Sequence, residues 1–232
     1  MSKLMPLISD QVEAIIFDLD DTLYDCSGTL VLKSKELAAK IISKAIKCSE
    51  AEALKLQLEL EGRLGPKADI TREISSLYNL SEEFCTEVSE AINDLNLEDT
   101  VLFPDAMDSI NELKRVGYKL FLVTFGTREM QEKKIKVLGL EKKFDEIIIT
   151  ENSRGKEKCF KEILAKYDLE PKQVLCVGDK IKDEIDVGKR LGMSTALMKH
   201  GRHYHFYKSE INDEETYIHI TKISDLLENN ED

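Results

Sequence analysis

The chain has 232 residues and carries 33 Lys+Arg against 45 Asp+Glu, a formal net charge of −12. That length suits one domain or a core with a modest insertion, and 42% hydrophobic with 34% charged residues excludes a disordered or fibrous chain. The acidic balance excludes a general binder of nucleic-acid polymers, which needs a basic surface. The apolar runs, such as Leu120 to Val123 and Ile147 to Ile149, fall far short of the ~20 residues of a spanning helix, so no membrane partner is expected.

Met1 to Gln11 holds neither a long apolar segment nor a signal cleavage site. The five cysteines, Cys26, Cys48, Cys85, Cys159 and Cys176, are odd in number and include no Cys-x-x-Cys pair. A reduced cytoplasmic protein is therefore expected, without a disulfide framework or a zinc site.

Val12 to Phe17 is a short apolar run that stops at Asp18-Leu19-Asp20-Asp21 and predicts a buried strand ending in a polar loop. From Asp25 to about Leu102 the texture is helical: Leu37, Ala38, Ile41, Ile42, Ala45 and Ile46 recur at helix spacing, and Ser49 with Glu52 fits a capping box. Leu54, Leu56, Leu58 and Leu60 alternate as in a strand, but good helix formers separate them and no β-branched residue is present, so a helix is expected. After Pro104 the rhythm alternates. Helix (Met107, Ile110, Leu113), strand (Tyr118 to Val123), helix (Arg128 to Leu138) and strand (Glu146 to Thr150) are followed by helix (Glu157 to Tyr167), strand (Gln173 to Val177), helix (Asp183 to Leu191) and strand (Ser194 to Met198). Tyr217 to Asp232 adds a short strand, a helix and a charged, frayed end. Such alternation predicts an α/β fold with a doubly wound, mostly parallel sheet. The core comprises residues 1–23 and 103–232, with an inserted helical domain over 24–102. Ligands of such sheets sit beyond the carboxyl ends of the strands, where the polar clusters of this chain fall.

Asp18 and Asp20 lie two apart beyond the first strand, on one face if the backbone stays extended. Convergent carboxylates repel unless a divalent cation or a shared proton relieves them; taken alone, the stretch is equally a solvated acidic loop. Thr124-Phe125-Gly126-Thr127 ends another strand before a helix, where a hydroxyl, a glycine and free amides make an anion-binding corner, although an ordinary strand-to-helix turn has the same features. Gly178-Asp179 with Asp183 and Glu184 places further carboxylates at a third strand end, and helix-start acids account for part of that. Lys156 precedes a helix, and Lys158 is the fallback cation.

The conjunction is more specific than any member. The sequence resembles the haloacid dehalogenase superfamily of phosphatases, with Phe17-Asp18-Leu19-Asp20-Asp21-Thr22-Leu23 as its first motif, Thr124 as its second, Lys156 as its third and Gly178-Asp179 through Glu184 as its fourth. The resemblance covers about Ala14 to Met193 and implies a Rossmann-like core with a helical cap. It implies that Asp18 is a nucleophile forming an aspartyl-phosphate and Asp20 the general acid and base. It further implies that Asp18, the Asp20 carbonyl and Asp179, with Asp183 or Glu184, hold Mg²⁺. Thr124, the Phe125-Gly126 turn and Lys156 would hold the phosphoryl oxygens of a small phosphate ester. The chain departs from the pattern at Glu184, where aspartate is usual, and at Phe125, where asparagine is common. A phosphomutase uses the same core residues; a dehalogenase would give Asp20 little to do, and so would a pure binding module.

His200, His203 and His205 are read as a surface loop, since their irregular spacing without cysteine suits no zinc site. Arg128 is equally a substrate contact or a solvated helix-start residue. Arg63, Lys67 and Arg72 of the insertion are expected to face solvent for the most part, although they could meet a leaving group.

Overall fold

The structure, a computed structural model, describes residues 5–6, 8–152, 155–210, 217–227 and 229–230. The chain divides into two compact units, residues 27–99 and residues 1–26 with 100–232, against the expected 24–102 and its flanks.

The 27–99 unit consists of helices α1 (Leu32–Ile46), α2 (Glu50–Leu64), α3 (Ile70–Leu77) and α4 (Glu82–Asn93), with a π-helical turn at Ser27–Val31. Its core gathers Ala38, Ala39, Ile42, Ala53, Leu60, Ile74, Phe84 and Val88. Ser49 and Glu52 do form the capping box: the Glu52 amide donates to the Ser49 hydroxyl at 3.2 Å, and the Ser49 amide to the Glu52 carboxylate at 2.9 Å. The alternating leucines lie within α2, where Ala53, Gln57 and Leu60 form the buried face and Leu58 is exposed. Helix propensity and the three-to-four-residue spacing override the period of two.

The other unit is built on a six-stranded, all-parallel sheet. Its strands are β1 (Ala14–Phe17), β2 (Lys119–Phe125), β3 (Glu146–Thr150), β4 (Val174–Gly178), β5 (Ser194–Met198) and β6 (Ile218–Ile220), in spatial order β3-β2-β1-β4-β5-β6. Helices α5 (Ala106–Arg115), α6 (Arg128–Val137), α7 (Lys156–Tyr167), α8 (Asp186–Leu191) and α9 (Gly201–Tyr207) join or follow the strands. Parallel pairing demands such crossovers, and strands covered on both faces are apolar throughout rather than alternating. Ala14, Ile16, Phe121, Val123, Val174 and Cys176 face Cys159, Phe160 and Ile163 of α7 and Val187 of α8; Ile15, Phe17, Leu120, Leu122, Leu175 and Val177 point the other way and are also fully buried.

After β3 the chain crosses back over β1 to lay down β4, so the winding reverses between β1 and β4. Side chains just beyond these two strands share the crevice that this reversal opens. Asp18 follows β1 and Asp179 follows β4.

Three expectations are corrected. The histidine segment is helix α9 rather than a loop; His203 is buried in it while His205 is exposed. The helix expected from Asp183 begins as a π-helical turn, Ile181–Ile185, before α8. The tail helix is a 3₁₀ segment, Ile223–Leu227, and Asn229–Asn230 pairs antiparallel with Met5–Pro6, while residues 231–232 lie outside the described ones. Among the described residues no helix is long and apolar enough to cross a membrane, and all five cysteines are free.

Candidate active site

Asp18, the first residue past β1, is 2% exposed and held by two ammonium groups: Lys156 Nζ donates to its Oδ1 at 2.6 Å and Lys180 Nζ to its Oδ2 at 2.9 Å. Burial by itself would raise the Asp18 carboxyl, but the two lysines outweigh it and hold the group below its ordinary value. Lys156 opens α7 and reaches back across the strand ends, bonding Glu184 as well as Asp18. Against the desolvation that would lower it, the carboxylates of Asp18 and Glu184 raise Lys156 and keep it cationic. Lys158 points away; its side chain is 82% exposed and pairs with Glu162.

Asp179, the first residue past β4, is fully buried, and among the described residues neither of its carboxylate oxygens accepts a hydrogen bond. Lys180 Nζ stands 3.4 Å from one of them. Burial raises the Asp179 carboxyl well above its ordinary value, and Glu184 and Asp18 raise it further against the opposing Lys180. A buried carboxyl without donors costs several kcal/mol unless something else meets it.

Asp18, Asp179 and Glu184 each offer an oxygen, and these oxygens lie within 4.8 Å of one another. Three oxygen donors, one of them unmatched by the protein, fit a hard divalent cation, which would supply the missing partner. Asp183 lies outside this group and is half-exposed, whereas Glu184 is 1% exposed. The π-helical turn explains the difference: the amides of Ile185 and Asp186 donate five residues back, to Lys180 and Ile181, and the widened turn rotates Glu184 inward. Its Oε2 accepts the Lys180 amide at 2.9 Å.

Glycine at 178 makes that approach possible, since a Cβ there would stand 2.5 Å from Glu184 Cγ and 2.8 Å from its Cβ. Gly178→Ala is therefore expected to displace Glu184 and lower stability by about 1–3 kcal/mol, the range for overpacking. Urea denaturation checks it, and an unchanged midpoint would show that Glu184 is free to move.

Asp20 is bound on both oxygens. Tyr24 Oη donates to Oδ1 at 2.5 Å, Lys134 Nζ to the same oxygen at 2.8 Å, and Gln131 Nε2 stands 3.2 Å from Oδ2. Burial pushes the Asp20 carboxyl up, yet Lys134 reverses this and keeps it well below its ordinary value, so Asp20 is a carboxylate as it stands. Tyr24, Gln131, Lys134 and Lys180 were not singled out from sequence. Gln131 and Lys134 did leave a signal, since they share the buried face of α6 with Ile135, where an amphipathic helix would carry apolar side chains. Tyr24 and Lys180 leave none.

Thr124, fully buried in β2, accepts from Gln131 Nε2 at 2.5 Å. Phe125 contributes its carbonyl, which stands 3.1 Å from the same nitrogen, while the residue as a whole is 44% exposed. Gly126, with φ at +152°, leaves room for Gln131, whose Cγ and Cδ lie 3.1 Å from where a Cβ would sit. The α6 N-terminus is occupied otherwise than expected: Thr127 caps the Met130 amide, the Arg128 amide donates to Glu151 at 3.0 Å, and the Arg128 side chain pairs with Glu132.

A second group of ligand-type side chains joins Asp21, Asp25 and His200, with His200 Nε2 3.0 Å from Asp25 Oδ1; His203 and His205 take no part in it. Arg63, Lys67 and Arg72 are exposed, and Arg72 pairs with Glu82 and Asp69.

The sequence profile of haloacid dehalogenase-like hydrolases matches residues 15–198. Among curated relatives, a glyceraldehyde 3-phosphate phosphatase of Methanothermobacter thermautotrophicus is 29% identical over 194 residues, 81% of this chain and 85% of that one. A phosphoglycolate phosphatase of Aquifex aeolicus is 28% identical over 223 residues, 93% of this chain and 95% of that one. The crystal structure of a predicted phosphoglycolate phosphatase from Haemophilus somnus superposes with a TM-score of 0.69 at 22% identity, covering 94% of this chain and 97% of that one. That last likeness speaks for the fold.

Proposed function

The chain belongs to the haloacid dehalogenase-like hydrolases and hydrolyses phosphate monoesters; from that premise we propose a Mg²⁺-dependent phosphatase of small cytoplasmic metabolites that works through an aspartyl-phosphate on Asp18. The observation that carries the reading is the meeting of Asp18, Asp179 and Glu184 with Lys156 at the reversal between β1 and β4. Together they match a nucleophile, a cation site and a charge that holds phosphate.

In the proposed sequence a carboxylate oxygen of Asp18 forms a bond to phosphorus as the ester P–O bond opposite it breaks, and the departing oxygen takes a proton from Asp20. Asp20 then removes a proton from the water that attacks phosphorus. The bond to Asp18 breaks, and inorganic phosphate leaves. The ionised state imposed by Lys134 suits Asp20 to the second half-reaction, while a phosphoryl dianion nearby favours the protonated form that the first half requires. Lys156 and the Thr124 hydroxyl hold non-bridging oxygens and offset the charge on them. Mg²⁺ held by Asp18, Asp179, Glu184 and the Asp20 carbonyl would supply neutralisation of the carboxylate and phosphoryl charges.

The names of the relatives make three-carbon and two-carbon phosphate esters the first substrates to try. Purified protein is expected to release phosphate from p-nitrophenyl phosphate and from glyceraldehyde 3-phosphate or phosphoglycolate, to lose that activity in EDTA and to regain it with Mg²⁺. Release that persists undiminished in the chelator would refute the metal assignment, and no release from any ester would refute the phosphatase.

A further inference from the structure

Gln131 is a polar side chain 1% exposed on the inner face of α6, where an unpaired amide would be destabilising. It is not unpaired. Its Nε2 lies 2.5 Å from Thr124 Oγ1, 3.1 Å from the Phe125 carbonyl and 3.2 Å from Asp20 Oδ2. The orientation of the amide is fixed by chemistry: a backbone carbonyl and a carboxylate only accept, so the end of Gln131 facing them has to be the NH₂ group.

That orientation dictates what Thr124 can do. A hydroxyl has a single proton and Nε2 cannot accept it, so in this contact Thr124 is the acceptor, sharing the two amide protons with the Phe125 carbonyl and Asp20, and its own proton is turned elsewhere. Among the described residues no further hydrogen bond of the Thr124 hydroxyl is found. Accepting that bond closes to the hydroxyl proton the staggered well that faces Gln131, so the proton takes one of the two wells turned away from it.

We propose that Gln131 is a positioning residue for the reaction: its amide orients Thr124 so that the hydroxyl proton is presented to a phosphoryl oxygen, and it holds that hydroxyl in register with the Asp20 carboxylate. The inference rests on the phosphatase reading above, which gives Thr124 and Asp20 their roles. It also gives Gly126 a purpose other than contact with phosphate, because the absent Cβ is what lets Gln131 lie along the turn.

The test is a double-mutant cycle with Gln131→Met, which keeps an unbranched side chain of similar length but has no donor, and Thr124→Val, which keeps the shape but has no hydroxyl. Gln131→Met is expected to lower kcat/KM about tenfold to a hundredfold, less than the roughly 10²–10³ for losing a direct donor because Gln131 acts through Thr124, and to weaken inhibition by inorganic phosphate. In the Thr124→Val background the same change should cost less than about threefold, because residues acting through one another are not additive. Gln131→Leu serves as a second apolar variant should the methionine protein melt early. An equal loss in both backgrounds, or a lower Tm with kcat/KM and phosphate inhibition unchanged, would overturn the proposal while leaving the phosphatase standing. A wild-type protein that releases no phosphate would remove both.

Discussion

Asp18→Asn is expected to abolish phosphate release, by about 10⁴-fold or more, while the protein stays folded. The amide oxygen is not a nucleophile, and removal of a nucleophile that forms a covalent intermediate costs a factor of this order or larger. The structural side is less obvious, because Asp18 is the shared partner of Lys156 and Lys180, and breaking a buried ion pair by removing one charge costs about 3–5 kcal/mol when nothing replaces it. Here something does. Lys156 keeps Glu184, and Lys180 keeps Asp179. The Asp18 charge is one of the groups that raise the Asp179 carboxyl, so its loss eases ionisation of Asp179 beside Lys180. A near-wild-type melting curve with no turnover is the expected pair of observations. A rate within tenfold of wild type would rule out Asp18 as nucleophile.

The position of Asp18, the proposed nucleophile, was legible in the sequence for the same reason the sheet was. Ala14 to Phe17 and Val174 to Gly178 are buried on both faces, so they appear as short apolar runs, and the residue at which each run stops is the residue at the strand's carboxyl end. Asp18 and Asp179 stand there. The choice between Asp183 and Glu184 was not legible, because it depends on a π-helical turn with bonds five residues back. No pattern in Ile181 to Ile185 announces that change of phase. Gln131 was legible only as an anomaly: the helix that supplies it buries Gln131 and Lys134 beside Ile135, and a reading for apolar periodicity registers Ile135 and Leu138 and passes over the polar members of the same stripe. Tyr24 and Lys180 act through contacts with Asp20, Asp18 and Asp179 that exist only once separate strands are side by side. The histidine segment failed differently. Its spacing suits no zinc site, yet the segment folds as helix α9 with His203 inside; the lack of a metal pattern carries no information about the backbone.

Lys156→Met is the variant in which activity and stability are expected to fall together. The lysine is 4% exposed and bonds both Asp18 and Glu184. Under the proposed mechanism its removal takes away a charge that offsets the phosphoryl oxygens, at an expected cost on the order of 10²–10³ in kcat. It also leaves buried acids short of a cation, at about 3–5 kcal/mol. Lys180 limits the damage only in part, since its ammonium already serves Asp18 and Asp179. Methionine preserves most of the stem volume, so the cost is assigned to charge rather than to a cavity. Lys158→Met, two residues along the same helix, is the control: its side chain is 82% exposed and its partner Glu162 stands 3.7 Å away, an arrangement worth less than about 1 kcal/mol. Steady-state kinetics and urea denaturation of both variants should therefore separate widely. Comparable losses at both positions, or a Lys156→Met protein with undiminished kcat, would remove Lys156 from the phosphate site.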